Sequence, residues 1–174
     1  MGKIIFLLGG ARSGKSSYAI ELAKSLRKRT AFIATCVLPD SEMRKRIKIH
    51  KNSRPAKWKV VEEGRDVKRV LANIKNKFGT ILIDCLGLWI SNLLADKLTD
   101  KKIEKEIKYL VEVISRLKTN VILVSNEVGS GIVPDNLLAR RFRDLLWQAN
   151  QTMAKAADEV IFMQSGIPLK IKGD

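Results

Sequence analysis

The sequence predicts an α/β fold built on a mainly parallel sheet, and three observations support this prediction. Short runs of apolar residues alternate along the chain with longer segments whose apolar residues repeat at helical spacing. The short runs are nearly continuous, as in strands that are buried on both faces of a parallel sheet. The glycine-rich segment Gly9–Ser16 joins the first apolar run, residues 3–8, to the first helical segment, residues 17–26. We therefore expect helices on both faces of the sheet.

The first part of the chain alternates strands and helices. Segment 17–26 has its apolar residues at positions 19, 20, 22, 23 and 26, which is a helical stripe. Residues 30–35 are a second apolar run and predict a strand. Residues 41–51 are polar and predict a helix that ends before Pro55, since proline disfavours helix at the residue before it. Residues 58–62 predict a short strand.

The middle of the chain continues this alternation. Asp66 is the expected N-cap of a helix with apolar residues at positions 67, 70, 71, 74 and 78, and Gly79 is its expected end. Residues 80–84 predict a strand that closes on a carboxylate. Residues 86–94 are apolar enough to form a buried helix or a subunit contact.

The last part of the chain predicts two long helices and a hairpin. A helix begins at Asp100 and carries an apolar stripe up to position 117, and a strand follows over residues 120–125. Asp135 is the expected N-cap of a helix that runs to residue 157. Residues 159–163 and 169–172, joined through a glycine and a proline, predict a terminal hairpin.

Length and composition indicate an ordinary globular chain. With 174 residues, 45% hydrophobic and 29% charged, we expect one domain spanning residues 1–174. No apolar run is long enough to cross a bilayer, so we expect no stable membrane insertion. The N-terminal residues lack the layout of a signal peptide, and Cys36 and Cys85 form neither a disulfide framework nor a metal-site spacing. These features predict that the protein is located in the cytoplasm.

The chain is strongly basic. It has 33 Lys and Arg against 18 Asp and Glu, a net charge of +15, and eleven of the basic residues fall between Arg27 and Lys59. Such an excess fits nucleic acid, an anionic membrane, a polyanionic small substrate or merely a lysine-rich surface. Trp58 is the only aromatic residue in the second half of this basic stretch, whereas nucleic-acid modules usually expose several aromatics for stacking. We therefore expect no nucleic acid as partner.

The segment Gly9–Ser16 fits the phosphate-binding pattern G-x-x-x-x-G-K-[ST], and we call it the phosphate loop. Its residues are Gly9, Gly10, Ala11, Arg12, Ser13, Gly14, Lys15 and Ser16. Glycines let backbone N–H groups surround phosphate oxygens at a helix N-terminus, where the helix dipole favours an anion. Lys15 would bring a positive charge to the phosphates and Ser16 a hydroxyl to Mg²⁺. A turn that binds nothing is the alternative, but the flanking strand and helix favour nucleotide binding.

Asp84 is the second predicted site for phosphate chemistry. In nucleotide-binding folds of this kind, a carboxylate that ends a neighbouring apolar strand helps to hold Mg²⁺. A capping or turn aspartate is the alternative, and the phosphate loop favours the metal role. The sequence thus predicts a P-loop (RecA-like) three-layer α/β/α fold with a mainly parallel sheet and a C-terminal hairpin.

His50 is the only histidine of the chain and has two possible roles. A lone histidine is usually a surface or core residue without a special task. This one lies among Arg46, Lys48, Lys51 and Arg54, whose charges would lower its pKa and favour the neutral imidazole that can act as a nucleophile. The same cations would attract a triphosphate.

These segments together resemble the bifunctional adenosylcobinamide kinase / adenosylcobinamide-phosphate guanylyltransferase family. The specific motifs are R-I-x-x-H at residues 46–50, R-P-x-x-W at residues 54–58 and N-E-V-G-x-G-I-V-P at residues 126–134. The other matching segments are residues 9–16, 32–35, 84–86, 92–94, 138–140, 142–144 and 150–151. The resemblance covers the full length of the chain without a large gap.

The resemblance implies two reactions of nucleotide-loop assembly in cobalamin (vitamin B12) biosynthesis. In the first, ATP or GTP phosphorylates the aminopropanol hydroxyl of adenosylcobinamide. In the second, GMP passes from GTP to adenosylcobinamide phosphate, which gives adenosylcobinamide-GDP and pyrophosphate. In the family, the histidine at the position of His50 takes the GMP covalently.

The resemblance also implies the position of the nucleotide. Besides the phosphate loop, the residues that it places against GTP are Ala34, Thr35, Cys36, Lys51, Asn52, Ser53, Arg54, Glu62 and Asp84. It suggests a homo-oligomer, with a trimer favoured. Two residues depart from the family pattern. Gly87 stands where threonine is common, which can change a polar lining, and Trp147 stands where glycine is usual, which can change packing or a subunit contact.

The residues themselves fit this chemistry. Attack of a neutral imidazole on the α-phosphorus would form a phosphoramidate and divide one hard transfer into two easier steps. Lys15 and Arg12, with a Mg²⁺ shared by Ser16 and Asp84, would neutralise charge on the departing pyrophosphate.

The roles of three further positions stay open at this point. Lys51 and Arg54 could steady either the α-phosphate or the phosphate of the incoming substrate. Glu62 could accept hydrogen bonds either from guanine or from ribose. Glu127, at the end of a predicted strand, is a candidate base for the kinase step, and its alternative role is to order its own loop.

Two other functions compete with the bifunctional enzyme. One is a P-loop kinase for another small molecule, with no covalent intermediate and a structural His50. The other is a basic RecA-like protein that binds nucleic acid and has no small-molecule chemistry. Acid-labile label on the protein from the α-phosphate of GTP would exclude the P-loop kinase without a covalent intermediate. A steep salt dependence of DNA binding would favour the nucleic-acid binder.

Overall fold

The computed structural model describes residues 2–36, 54–75 and 77–173 of the chain. The described strands are β1 Ile4–Gly9, β2 Thr30–Ala34, β3 Lys59–Glu62, β4 Thr80–Asp84, β5 Asn120–Val124, β6 Glu159–Gln164 and β7 Ile167–Lys172. The described helices are α1 Lys15–Ser25, α2 Val67–Ile74, α3 Leu86–Ala95, α4 Asp100–Ser115 and α5 Leu137–Ala156. The predicted helix over residues 41–51 lies outside the described residues.

The seven strands form one sheet in the order β3-β2-β4-β5-β1-β6-β7. Neighbouring strands are parallel from β3 to β6, and β7 returns antiparallel to β6 as a hairpin. The first strand is therefore internal. Its Phe6 is aligned with Leu123 of β5 on one side and with Val160 of β6 on the other. The predicted α/β fold with a mainly parallel sheet and a C-terminal hairpin is confirmed.

Both faces of the sheet are covered at the strands β1, β2, β4 and β5, which explains why these strands are almost continuously apolar. Ile5 and Leu7 of β1 pack with Ala19 of α1 on one face. Phe6 and its alternate neighbours point to the other face and pack against α2, α3, α4 and α5, where Trp89 is a large buried side chain. The apolar segment 86–94 is therefore a buried helix.

Two details differ from the expectations for helix and strand ends. Helix α2 ends at Ile74 and does not reach Phe78, because the Phe78 carbonyl accepts from the Thr119 hydroxyl at 3.0 Å and the Gly79 N–H donates to the Arg29 carbonyl at 2.9 Å. These bonds attach Phe78 and Gly79 to other segments of the chain, outside the helix. The proline expected between the hairpin strands lies inside β7 instead.

The N-caps give one confirmation and one correction. Asp66 caps α2 as predicted, since its side chain accepts from the Arg69 N–H. The cap of α5 is Asn136, whose Oδ1 accepts from the Ala139 N–H at 3.1 Å, so the prediction of Asp135 was wrong by one residue. The Asp135 carbonyl accepts from the side chain of Arg140 instead.

The parallel arrangement brings the carboxyl ends of six strands to one edge of the sheet. The last residues of β1 to β6 are, in chain order, Gly9, Ala34, Glu62, Asp84, Val124 and Gln164. Ligands of open α/β sheets bind at this edge. Among the described residues, no helix is long and apolar enough to cross a membrane.

Candidate active site

The phosphate loop connects β1 to α1 at the carboxyl edge. Gly9 is the last residue of β1 and Lys15 is the first residue of α1. Gly14, the N-cap of α1, has a φ of 93°, and Arg12 has a φ of 58°. This left-handed backbone is what a loop needs to turn sharply into a helix, and glycine adopts it without strain. The helix N-terminus and its N–H groups are therefore directed at the carboxyl edge.

The phosphate loop packs against the turn between β6 and β7. The Gly166 N–H donates to the Ser13 carbonyl at 3.0 Å. A Cβ on Gly14 would lie 3.4 Å from the Gly166 Cα, and one on Gly9 would lie 2.4 Å from the Met163 carbonyl oxygen. The hairpin thus supports the loop from one side. Ser13 and Gly166 are far apart along the chain, so no local sequence pattern predicts this contact.

Lys15 lies in the interior of the site. Its side chain is buried, and its Nζ donates to the Gly10 carbonyl at 2.6 Å and to the Ser13 Oγ at 3.4 Å. Desolvation by burial lowers the pKa of Lys15, while electrostatic interactions with Cys85 and Asp84 act in the opposite direction. The ammonium of Lys15 and the carboxylate of Asp84 are therefore close enough to interact.

The segment 34–36 is hydrogen-bonded to the end of β4. The Thr35 N–H donates to the Asp84 carbonyl at 3.1 Å. The Thr35 Oγ1 accepts from the Cys85 N–H at 2.7 Å and donates to the Cys85 carbonyl at 2.8 Å. Burial is the main cause that raises the pKa of the Cys85 thiol, to about 12. The residues 34–36 and 84, which sequence reasoning assigned to one nucleotide site, are therefore neighbours.

Arg54 brings a buried positive charge to the same edge. Its guanidinium lies 3.7 Å from the centroid of the Phe32 ring. Its Nε and Nη1 atoms are buried and have no hydrogen-bond partner in the described part of the chain. Burial lowers the pKa of Arg54, and the charges of Asp84 and Glu62 oppose that shift. The structure thus brings together three of the predicted nucleotide-binding residues from separate segments.

The candidate nucleophile lies outside the described residues. The same is true of three of its predicted neighbours, Lys51, Asn52 and Ser53. The described chain resumes at Arg54, next to Phe32. The catalytic role of His50 therefore stays a prediction from the sequence.

Glu127 follows β5 and is tied to the phosphate loop. Its N–H donates to the Gly9 carbonyl at 2.9 Å, and its carboxylate accepts from the Gly129 N–H. The Asn126 carbonyl beside it accepts from the Asn150 side chain of α5 at 3.0 Å. The carboxylate thus orders its own loop, and its role as a kinase base stays a prediction.

The two positions that depart from the family pattern lie in different surroundings. A Cβ on Gly87 would lie 3.5 to 3.8 Å from Leu146, Asn126 and Phe142, so a larger residue there would contact all three. Trp147 is 55% exposed on the outer side of α5. It lines an open cavity of about 640 Å³ together with residues of α4 and of the segment after β5.

A glycine loop at a helix N-terminus, a buried lysine and a strand-end aspartate at one sheet edge define a P-loop nucleotide-binding protein. The chain belongs to the cobinamide kinase / cobinamide phosphate guanyltransferase family, whose model matches residues 5–171. It is therefore a bifunctional kinase and guanylyltransferase, and the function that the resemblance implied is confirmed at this level.

Three named relatives match over almost the whole chain. The bifunctional adenosylcobalamin biosynthesis protein CobU of Salmonella typhimurium is 39% identical over 181 residues, which cover 97% of this chain and 99% of that protein. CobU of Escherichia coli is 38% identical with the same coverage. The bifunctional adenosylcobalamin biosynthesis protein CobP of Pseudomonas aeruginosa is 38% identical over 170 residues, 97% of this chain and 96% of that protein.

Proposed function

We propose that this enzyme performs both reactions of nucleotide-loop assembly in adenosylcobalamin biosynthesis at the carboxyl edge of its sheet. It phosphorylates adenosylcobinamide with ATP or GTP, and it then transfers GMP from GTP to adenosylcobinamide phosphate. The main support is the phosphate loop, with buried Lys15 close to the charge of Asp84. The whole chain, residues 1–174, acts as one catalytic domain, since all described helices pack on one sheet.

The phosphate loop binds the triphosphate. Its N–H groups at the start of α1 donate to phosphate oxygens, and Lys15 exchanges its bond to the Gly10 carbonyl for one to a phosphate. The lowered pKa of Lys15 reflects desolvation, and an incoming phosphate supplies the anionic partner that compensates for it. Arg12, also in the loop, adds positive charge.

Mg²⁺ fits this site. Ser16 in the first turn of α1 and Asp84 at the end of β4 offer hydroxyl and carboxylate oxygens, the donors that Mg²⁺ prefers. Among the described residues, no group of three or more His, Cys, Asp or Glu could hold a metal by itself. That agrees with an ion that takes one or two protein ligands and completes its shell with phosphates and water. When bound, Mg²⁺ neutralises charge on the phosphates.

His50 carries the guanylyl group. An imidazole nitrogen attacks the α-phosphorus of GTP, so a P–N bond forms while the α–β P–O bond breaks and pyrophosphate leaves. An oxygen of adenosylcobinamide phosphate then attacks the same phosphorus, and the P–N bond breaks. Arg54 supports both steps, since its buried guanidinium can bind an anion between the strand ends. Glu62 contacts guanine or ribose, and residues 34–36 with Lys51, Asn52 and Ser53 complete the nucleotide site.

Labelling with GTP tests this proposal. Incubation with α-labelled GTP should leave acid-labile label on the denatured wild-type protein, and γ-labelled GTP should leave none. His50→Ala should lose the label and the guanylyltransferase activity. Lys15→Ala should keep the fold and lose at least about 100-fold in kcat/KM for both reactions, because one preorganised charge at the phosphates is removed. A kinase for another small molecule would turn over no adenosylcobinamide. Label that persists in His50→Ala would refute the covalent step.

We also propose a cytoplasmic homo-oligomer, with a trimer favoured. An exposed apolar patch supports an association surface: its residues are Ile132, Val133, Leu137 and Leu138, of which Ile132 is 97% exposed. Sedimentation velocity tests the oligomer, and a single monomeric species at micromolar concentration would contradict it.

A further inference from the structure

Helix α3 carries one side-chain amide that joins two segments of the carboxyl edge. Six of its ten residues are buried and apolar or glycine, and Asn92 lies among them. The Asn92 Nδ2 donates to the Thr35 carbonyl at 2.8 Å and to the Gly64 carbonyl at 3.0 Å. These carbonyls follow β2 and β3, respectively. The NH₂ group of Asn92 therefore donates to two segments that are distant in sequence.

Thr35, whose carbonyl accepts from Asn92, is itself hydrogen-bonded to the end of β4. Thr35 donates from its N–H to the Asp84 carbonyl, and its hydroxyl is bonded to both backbone groups of Cys85. The Ala34 carbonyl accepts from the Glu63 N–H at 2.9 Å. Asn92 thus fixes the relative positions of the ends of β2, β3 and β4. Asp84, whose charge acts on Lys15, ends the last of these strands.

We propose that Asn92 is a positioning residue for the nucleotide, a role that rests on the proposed nucleotide site. It does not contact the reacting atoms. It holds residues 34–36 and the segment after Glu62 in the arrangement that binds GTP. Without its amide, two carbonyls lose their donor, and the segments can separate. An aspartate at this position would have no N–H and would face both carbonyl oxygens with a negative charge.

Helix α3 offers a matched control. The Trp89 Nε1 donates to the Arg65 carbonyl at 2.8 Å. This bond joins the same helix to the same segment after β3, but it does not reach Thr35. Trp89→Phe removes a buried hydrogen bond and leaves the contact between Asn92 and Thr35 in place. A general loosening of α3 would therefore affect both variants, whereas positioning of the nucleotide requires Asn92 alone.

The experiment compares Asn92→Ala, Asn92→Asp and Trp89→Phe with the wild-type protein. Calorimetric titration gives the Kd of GTP, urea unfolding gives the stability, and steady-state kinetics give KM and kcat. We expect Kd and KM for GTP to rise about tenfold or more in both Asn92 variants, most in the aspartate, while the KM for adenosylcobinamide stays within about twofold. In Trp89→Phe, the Kd of GTP should stay within about twofold even where stability falls equally.

Four results would overturn the proposal. An unchanged Kd of GTP in Asn92→Ala, or an equal rise in Trp89→Phe, would leave Asn92 a structural residue while the proposed function stands. A wild-type protein that binds no GTP would overturn the proposed function and this inference with it. Should Asn92→Ala not fold, Asn92→Ser keeps one shorter donor, and its Kd is expected to lie between those of the wild type and Asn92→Asp. A Kd for Asn92→Ser equal to the wild-type value would also count against positioning.

Discussion

Three buried threonines near the ends of β2 and β4 differ in the number of hydrogen bonds that their hydroxyls make. The Thr35 hydroxyl makes two, to the N–H and the carbonyl of Cys85. The Thr30 hydroxyl donates to the Lys28 carbonyl at 3.0 Å. The Thr80 hydroxyl, opposite Thr30 in the sheet, has no partner in the described part of the chain. Valine has the same shape and lacks the hydroxyl, so the three Thr→Val variants isolate these bonds.

The expected changes in the free energy of unfolding follow from the partners. Thr35→Val loses one bond of about 1 kcal/mol and leaves the buried Cys85 N–H unpaired at about 1–3 kcal/mol, so we expect a loss of about 2–4 kcal/mol. Thr30→Val should lose about 1 kcal/mol. Thr80→Val removes a buried hydroxyl without a partner, so we expect no loss and a gain of up to about 1 kcal/mol.

Urea unfolding followed by circular dichroism measures these differences. From the most to the least stable variant, the order should be Thr80→Val, Thr30→Val, Thr35→Val. The melting temperature should change by about 2–4 °C per kcal/mol for a chain of this length. Equal losses of unfolding free energy in all three variants would refute the reasoning, because the losses would then not depend on the number of hydrogen bonds that each hydroxyl makes. A loss of more than about 1 kcal/mol in Thr80→Val would mean that its hydroxyl has a partner.

Two further predictions concern the phosphate loop and the cysteines. Gly9→Ala should destabilise the fold by at least about 1 kcal/mol, since its Cβ would lie 2.4 Å from the Met163 carbonyl oxygen, whereas Gly10→Ala meets nothing within 4 Å and should leave stability unchanged in urea unfolding. Equal effects would contradict the packing of this loop. At pH 8, a thiol reagent should modify half-exposed Cys36 well before buried Cys85, whose pKa of about 12 keeps it protonated, and Cys36→Ser should abolish the fast phase. A fast phase in that variant would show that Cys85 is accessible.

The sheet and the phosphate loop were predictable because their signals are local. Residues 81–83 form an apolar run directly before Asp84, and the spacing of the residues in Gly9–Ser16 indicates phosphate binding by itself. Parallel strands must then meet at one edge, so Asp84 and the loop had to be neighbours. The start of α2 was predictable for the same reason, because the Asp66 side chain accepts from the Arg69 N–H, three residues further along the chain.

The contacts that position the site were not predictable in the same way. Asn92 and Thr35 are 57 residues apart, and Gly166 reaches Ser13 only after the hairpin has formed. An asparagine within the apolar segment 86–94 was the available signal, since a polar group there must find a partner. The end of α2 was predicted too late, because the Phe78 carbonyl accepts from Thr119, which is 41 residues away along the chain.

The position of β1 has a consequence for synthesis of the chain. This strand is made first, yet its neighbours in the sheet come from residues 120–124 and 159–164, and Gly166 supplies a bond to the phosphate loop. During synthesis, the apolar strand β1 is therefore exposed until β5 and β6 have been made. Such non-local pairing favours slow folding, and the exposed apolar strand favours binding of chaperones. We expect ribosome-bound chains that stop before residue 159 to bind no GTP. The loop that comes first in sequence is among the last parts of this enzyme to be completed.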